Sequence, residues 1–273
     1  MSALAAERVT LGHGRVEIVR DASLEARPGA VLALCGPNGS GKTTLLSALA
    51  GDLAPWQGRV TLGGSDLSAL RPAALARGRA VLEQSPSLSA DFDVATLAAL
   101  GIPREVPPGA AREIVAAALA AVDLAERAGV SVARLSGGQR HRAHLARALA
   151  QLAAGRGLGA GHALLLDEPT ASLDVAHQIG VMRAARGAAR EGAAVVVVLH
   201  DLNLAAAFAD RIALMAEGRI VTEGAPAEVL TEAGLSALYG TPLRVDRAGG
   251  VLRVTPDFAA GMADRGPPYA TAP

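Results

Sequence analysis

Residues 30–50 read AVLALCGPNGSGKTTLLSALA, and their order sets the architecture. Ala30 to Cys35 is an apolar run short enough for one buried strand. Gly36-Pro37-Asn38-Gly39-Ser40-Gly41-Lys42-Thr43 then meets every position of the phosphate-loop pattern, and a helix is expected over about Lys42 to Ala50. Glycines let the backbone curl so that successive N–H groups face phosphate oxygens, and the helix start adds its positive end. Lys42 supplies a mobile full charge, and Thr43 a hydroxyl where Mg²⁺ would sit. Of the 26 basic residues Lys42 is the single lysine, which points to a place where a compact ammonium is needed and a guanidinium will not fit. Thr44 completes the expected nucleotide-binding set on this loop.

Working outward, two more apolar runs, Ala163 to Leu166 and Ala193 to Leu199, are each followed by a helical stretch. Continuous apolar strands alternating with helices predict a parallel sheet covered on both faces. The first run ends in Asp167-Glu168-Pro169, so two carboxylates stand at the carboxyl end of a core strand, where open α/β sheets bind ligands. Asp167 could hold Mg²⁺, and Glu168 could polarise an attacking water as general base. Alone, such a pair could equally begin a solvated loop; beside a phosphate loop the catalytic reading gains.

On the amino-terminal side, Val16 to Ala33 alternates loosely around a Pro28-Gly29 turn and reads as antiparallel strands. From Arg71 to Leu152 the chain is alanine-rich with helical period, broken at Pro86, Pro103 and Pro107-Pro108-Gly109. The expected division is a core with β lobe over about 1–83 and 156–240, a helical lobe over about 84–155, and a hairpin with tail over 241–273. In that last part Leu243 to Val245 and Val251 to Val254 flank Gly249-Gly250, and a loose tail is expected from Gly266. The 26 basic and 26 acidic residues balance, so no net field favours nucleic acid or an anionic lipid surface. The longest apolar run is too short to cross a bilayer, and the start lacks a basic-then-apolar secretory layout. A lone Cys35 excludes an internal disulfide and fits a reducing, cytosolic setting.

Leu135-Ser136-Gly137-Gly138-Gln139 precedes a helix expected over Arg140 to about Leu152. A serine cap followed by two glycines leaves N–H groups exposed at a second helix start, a second anion site on one chain. Between a phosphate loop and an acidic strand end, this segment resembles the signature of ABC ATPases. The resemblance covers about residues 7–240 and implies an α/β P-loop NTPase: a RecA-like parallel core sheet with an N-terminal antiparallel β lobe and an inserted α-helical lobe. It further implies that Ser136, Gly137, Gly138 and Gln139 grip the γ-phosphate of an ATP·Mg²⁺ held by a second copy of the chain. By the same resemblance Gln84 touches Mg²⁺ and the attacking water and reports to a membrane permease through Ser85 to Val94. Ser172-Leu173-Asp174 resembles the loop that crosses between the two copies, and His200 the histidine that contacts the γ-phosphate.

The family usually stacks adenine on an aromatic residue upstream of the phosphate loop, yet no Phe, Tyr or Trp precedes Trp56. His13 or Leu11 is the expected replacement. Arg147 to Leu152, Asp174 to Gln178 and His200 to Ala206 are similar to the ATPases of haem importers, within the group that also imports ferric siderophores and cobalamin. The segment Ala153 to Gly161 is read as an insertion of that subfamily, or as a tolerated surface loop. The resemblance implies a peripheral subunit at the cytoplasmic face of the inner membrane, paired with a permease dimer and, indirectly, with an extracytoplasmic substrate-binding protein. A soluble ABC protein acting on nucleic acid would carry paired units or a coiled-coil insertion, and a small-molecule kinase or GTPase leaves Leu135 to Gln139 unexplained.

Overall fold

In the computed structural model, which describes residues 3–84, 91–171 and 173–258, the expected central sheet is present. Its strands are β3 (Val31–Cys35), β6 (Arg79–Leu82), β7 (Ala163–Asp167), β8 (Ala194–Val198), β9 (Arg211–Ala216) and β10 (Arg219–Gly224). They lie in the order β10-β9-β3-β8-β7-β6, with β9 through β6 parallel and β10 returning antiparallel at the edge. Alternate residues of these strands feed two separate cores. Val31, Ala33, Cys35, Leu164, Leu166, Val195 and Val197 point to one face. Leu32, Leu34, Ala163, Leu165, Val196 and Val198 point to the other. Every one of these side chains is buried, which is why the strands read as continuous apolar runs rather than alternating ones.

A second sheet, antiparallel, orders β2 (Val16–Ala26), β1 (Leu4–His13), β4 (Gln57–Leu62) and β5 (Ser65–Asp66) as β2-β1-β4-β5. The strand β1 begins in the weakly apolar Ala3 to Ala6, and its buried side chains share one core with α1 (Lys42–Ala50). The helices α2 (Pro72–Gly78), α3 (Val94–Ala99), α4 (Pro108–Ala120) and α5 (Gly137–Gly157) follow the antiparallel sheet. After β7 come α6 (Val175–Arg190), α7 (Leu202–Phe208), α8 (Pro226–Val229), α9 (Glu232–Tyr239) and the hairpin β11 (Leu243–Ala248) to β12 (Val251–Pro256).

Three expectations need correction. Val16 to Ala33 is not an antiparallel pair about Pro28-Gly29: β2 pairs with β1, and β3 joins the central sheet in parallel beside β8 and β9. The helix expected over Arg140 to Leu152 begins earlier and ends later, at Gly137–Gly157, because Ser136 caps it and apolar packing continues past Leu152. The segment Ala153 to Gly161 is therefore half helix and not a loose surface loop. Ala154 and Gly155 are buried, Gly161 N–H donates to the Arg77 carbonyl at 2.8 Å, and a Cβ on Gly155 would stand 2.2 Å from that same carbonyl oxygen. Ser172, residues 85–90 of the expected permease segment, and the tail from Gly266 lie outside the described residues.

Candidate functional site

The carboxyl ends of β3, β7 and β8 place three loops side by side, as the parallel register requires. The loop after β3 curls through glycines at positive φ, 142° at Gly36, 77° at Gly39 and 99° at Gly41. Gly36 has no alternative: a Cβ there would sit 2.1 Å from the Met215 carbonyl oxygen on β9. Lys42 opens α1, is buried, and its Nζ donates to the carbonyls of Gly36 at 2.9 Å and Pro37 at 2.8 Å. Burial lowers its pKa, while Glu168, Cys35 and Asp167 hold it up. The ammonium has three donors and two acceptors here, and the buried Ser40 hydroxyl beside it has no partner. A cradle with spare donors of both kinds fits an anionic phosphate.

Thr43 Oγ1 donates to Asp167 Oδ1 at 3.2 Å, bringing together the two groups expected to hold a divalent cation. Burial raises the Asp167 pKa, with Glu168 adding to it, against the Thr43 hydrogen bond and the Lys42 and His200 charges. A cavity of 260 Å³ lined by Thr43, Ser47, Gln84 and Asp167 adjoins them. No group of three or more His, Cys, Asp or Glu suited to a metal occurs among the described residues. Hard oxygen donors, few in number, with room for several waters of about 30 Å³ each, fit Mg²⁺ completed by water and phosphate rather than by an all-protein cage.

Glu168 follows directly with φ 47°, a left-handed backbone costing on the order of 1 kcal/mol in a residue with a Cβ. That turn aims its carboxylate across the sheet edge. His200 Nε2 reaches Oε1 at 2.6 Å, and Gln84 Nε2 donates to Oε2 at 2.9 Å. The chain therefore brings together Gly36 to Thr44, Gln84, Asp167, Glu168 and His200.

Ser136 and His13 stand apart. Ser136 caps α5 with a reciprocal pair: its Oγ accepts from Gln139 N–H at 3.3 Å, and Gln139 Oε1 accepts from Ser136 N–H at 3.1 Å. Ser136 and Gly137 are exposed, and no hydrogen bond joins Ser136 to Gln139 with the phosphate loop among the described residues. His13 ends β1 exposed at the hairpin tip, and it too makes no hydrogen bond to the loop.

Two further residues reach the site without a motif to mark them. The His141 ring faces the Pro169 backbone just past Glu168, with its pKa lowered by burial. Tyr239, at the end of α9, brings its buried hydroxyl against Gly36 without a well-formed hydrogen bond. Burial, with the Cys35 thiol adding, pushes that hydroxyl up to about 12. Composition holds the only hint, since Tyr239 is one of two tyrosines in the chain.

Comparison with known proteins bears on the family and the fold. The profile of the ABC transporter family matches residues 19–171. The chain is 47% identical over 243 residues to the hemin import ATP-binding protein HmuV of Pseudomonas entomophila, covering 89% of this chain and 94% of that protein. It is 45% identical over 233 residues to the HmuV of Rhizobium meliloti, covering 85% and 89%. Among solved structures, an ATP binding subunit of an ABC transporter superposes with a TM-score of 0.75 at 20% identity, covering 88% of this chain and 98% of that one. A dimeric bacterial ABC transporter cassette gives 0.70 at 24% identity, covering 82% and 98%.

Proposed function

The chain belongs to the ABC transporter family as an ATP-hydrolysing subunit, and we propose that it works as a pair, with Mg²⁺, to drive haem import through a membrane permease. Relatives 43–47% identical over most of the chain carry the name hemin import ATP-binding protein, which supports haem over ferric siderophore or cobalamin. No helix among the described residues is long and apolar enough to cross a membrane, so contact with the bilayer is assigned to the permease. That placement puts the subunit at the cytoplasmic face of the inner membrane, with an extracytoplasmic substrate-binding protein on the far side.

The observation that carries the paired reading is a division of labour. Lys42, Thr43, Gln84, Asp167, Glu168 and His200 converge on one sheet edge, whereas the capped start of α5 offers exposed N–H groups elsewhere. Each ATP is then held by the phosphate loop of one copy and by Ser136, Gly137, Gly138 and Gln139 of the other. His13, at the hairpin tip, takes the place of the base-stacking aromatic.

On ATP binding, the third donor of the Lys42 ammonium, unused by the Gly36 and Pro37 carbonyls, takes a phosphate oxygen. Thr43 and Asp167 would hold Mg²⁺, which supplies positive charge to the phosphates when bound. Glu168 spends one lone pair on each of its two partners, and release of either leaves an oxygen free to take a proton. Contact with the γ-phosphate draws His200 away, and the freed carboxylate takes the proton of a water that Gln84 orients. That water adds to the γ-phosphorus as the bond to the β-phosphate oxygen breaks, and phosphate departs. Closing and reopening of the pair moves the permease through the segment after Gln84. Transport into vesicles holding the reconstituted complex, with haem, a ferric siderophore and cobalamin in competition, tests the cargo. Haem is expected to be taken up in an ATP-dependent way, and uptake of another cargo alone would contradict it.

A further inference from the structure

The residues beyond Gly240 have no part in the chemistry above, yet they are tied to the segment that presents His200. Asp201 caps α7, accepting from the backbone N–H of Asn203 at 2.7 Å and of Leu204 at 3.2 Å. A helix of seven residues has little stability of its own, so its orientation depends on what grips it. The grip on its first turn is Asn203. Val254 N–H donates to Asn203 Oδ1 at 2.8 Å, and Asn203 Nδ2 donates to the Val254 carbonyl at 3.2 Å. Val254 lies opposite Val245 in the hairpin, and the Asn203 amide takes its backbone groups as a neighbouring strand would.

The hairpin is anchored in turn. Leu243 N–H donates to Ser236 Oγ at 2.9 Å and Val245 N–H to Glu232 Oε1 at 2.9 Å, both on α9. Val254 is buried in one core with Leu202 and Leu235. At the far end of α9, Tyr239 backs Gly36 of the phosphate loop. One carboxy-terminal unit thus touches the support of both loops that meet the γ-phosphate.

We propose that the hairpin of residues 243–256 is a brace that holds the His200 backbone in place, so that its ring can pass from Glu168 to the γ-phosphate, with Asn203 as the positioning residue that transmits it. The amide pair fixes the azimuth of the first turn of α7, and His200 stands one residue before the cap of that turn. Misplacing a reacting group by a fraction of an ångström lowers rate without removing the binding contacts made by the phosphate loop. The inference rests on the role given to His200 above, and its test begins there.

The test is ATP turnover by the complete complex with its permease. His200→Ala is measured first and must lower kcat; normal turnover would overturn the role of His200 and the brace with it. Asn203→Ala is then expected to lower kcat about tenfold with ATP affinity changed less than about twofold. Val254→Pro removes the N–H donor from the hairpin side and is expected to do the same. In the His200→Ala background either change should add less than about twofold, because the positioned group is gone. Turnover within about twofold of wild type in both variants, with His200→Ala impaired, would overturn the brace alone. Equal losses in both backgrounds would also overturn it, since a merely structural contact acts whether or not His200 is present.

Discussion

His200 Nε2 stands 2.6 Å from Glu168 Oε1, so the histidine expected at the γ-phosphate and the proposed base are in direct contact. With Gln84 on its second oxygen, both oxygens of the carboxylate are hydrogen-bonded.

Replacing Glu168 with Gln removes the proton acceptor and leaves the phosphate-loop contacts in place. Turnover is expected to fall about 100-fold or more, with ATP still bound and the pair held closed. Single-turnover hydrolysis and size-exclusion chromatography with ATP check this. Hydrolysis at the wild-type rate would remove Glu168 from its role.

Lys42→Ala should act earlier, on binding. Losing a buried charge that pairs with phosphate weakens ATP affinity by roughly 30-fold or more. Equilibrium dialysis or a fluorescent nucleotide gives the value directly. An unchanged affinity with lowered turnover would instead make Lys42 a purely catalytic group.

Gly36→Ala tests the close approach of β9. The added Cβ would meet the Met215 carbonyl oxygen at 2.1 Å in a backbone at φ 142°. Overpacking costs roughly 1–3 kcal/mol, and a chain of this size loses about 2–4 °C of melting temperature per kcal/mol. A calorimetric scan should show that fall together with lost ATP binding.

His144 on α5 is 2% exposed, and neither ring nitrogen has a partner. Burial, with Arg147, His141 and Arg140 adding, lowers its pKa from 6.5 to about 4. The fold favours the neutral ring, so the unfolded chain takes up its proton first as pH falls. Stability is therefore complete above pH 6.5 and is lost as pH drops toward 4, by about 2 kcal/mol at pH 5. The lowered pKa of His141 acts in the same direction, while the raised pKa of Asp167 opposes it. Urea midpoints at pH 7.5 and 5 should differ less in His144→Leu than in the wild type.

The core sheet, the phosphate loop and the acidic pair could be read directly because each rests on local pattern: apolar runs, a glycine spacing, a strand end. The helix over Lys42 to Ala50 was legible to the residue for the same reason. Strands β1, β4, β6 and β10 carry no comparable signal, since short segments such as Arg79–Leu82 become strands only by pairing with a neighbour already in place. The meeting of Gln84 with Glu168, 84 residues apart, was expected by resemblance and not by spacing. Asn203 lies inside the His200 to Ala206 motif, but its bridge to the Val254 backbone was invisible there, and the buried phenol of Tyr239 leaves no motif behind.

The central claim, one ATP shared by two chains, is tested most directly in mixed dimers carrying Glu168→Gln in both copies, with retained ATP counted per dimer. Placing Lys42→Ala and Ser136→Arg on the same chain spoils both shared sites, whereas dividing them between the two chains spoils one site twice and leaves the other whole. The account predicts no retained ATP in the first dimer and a single ATP in the second. A single ATP in the first and none in the second would mean that each chain closes its own site, and would contradict it.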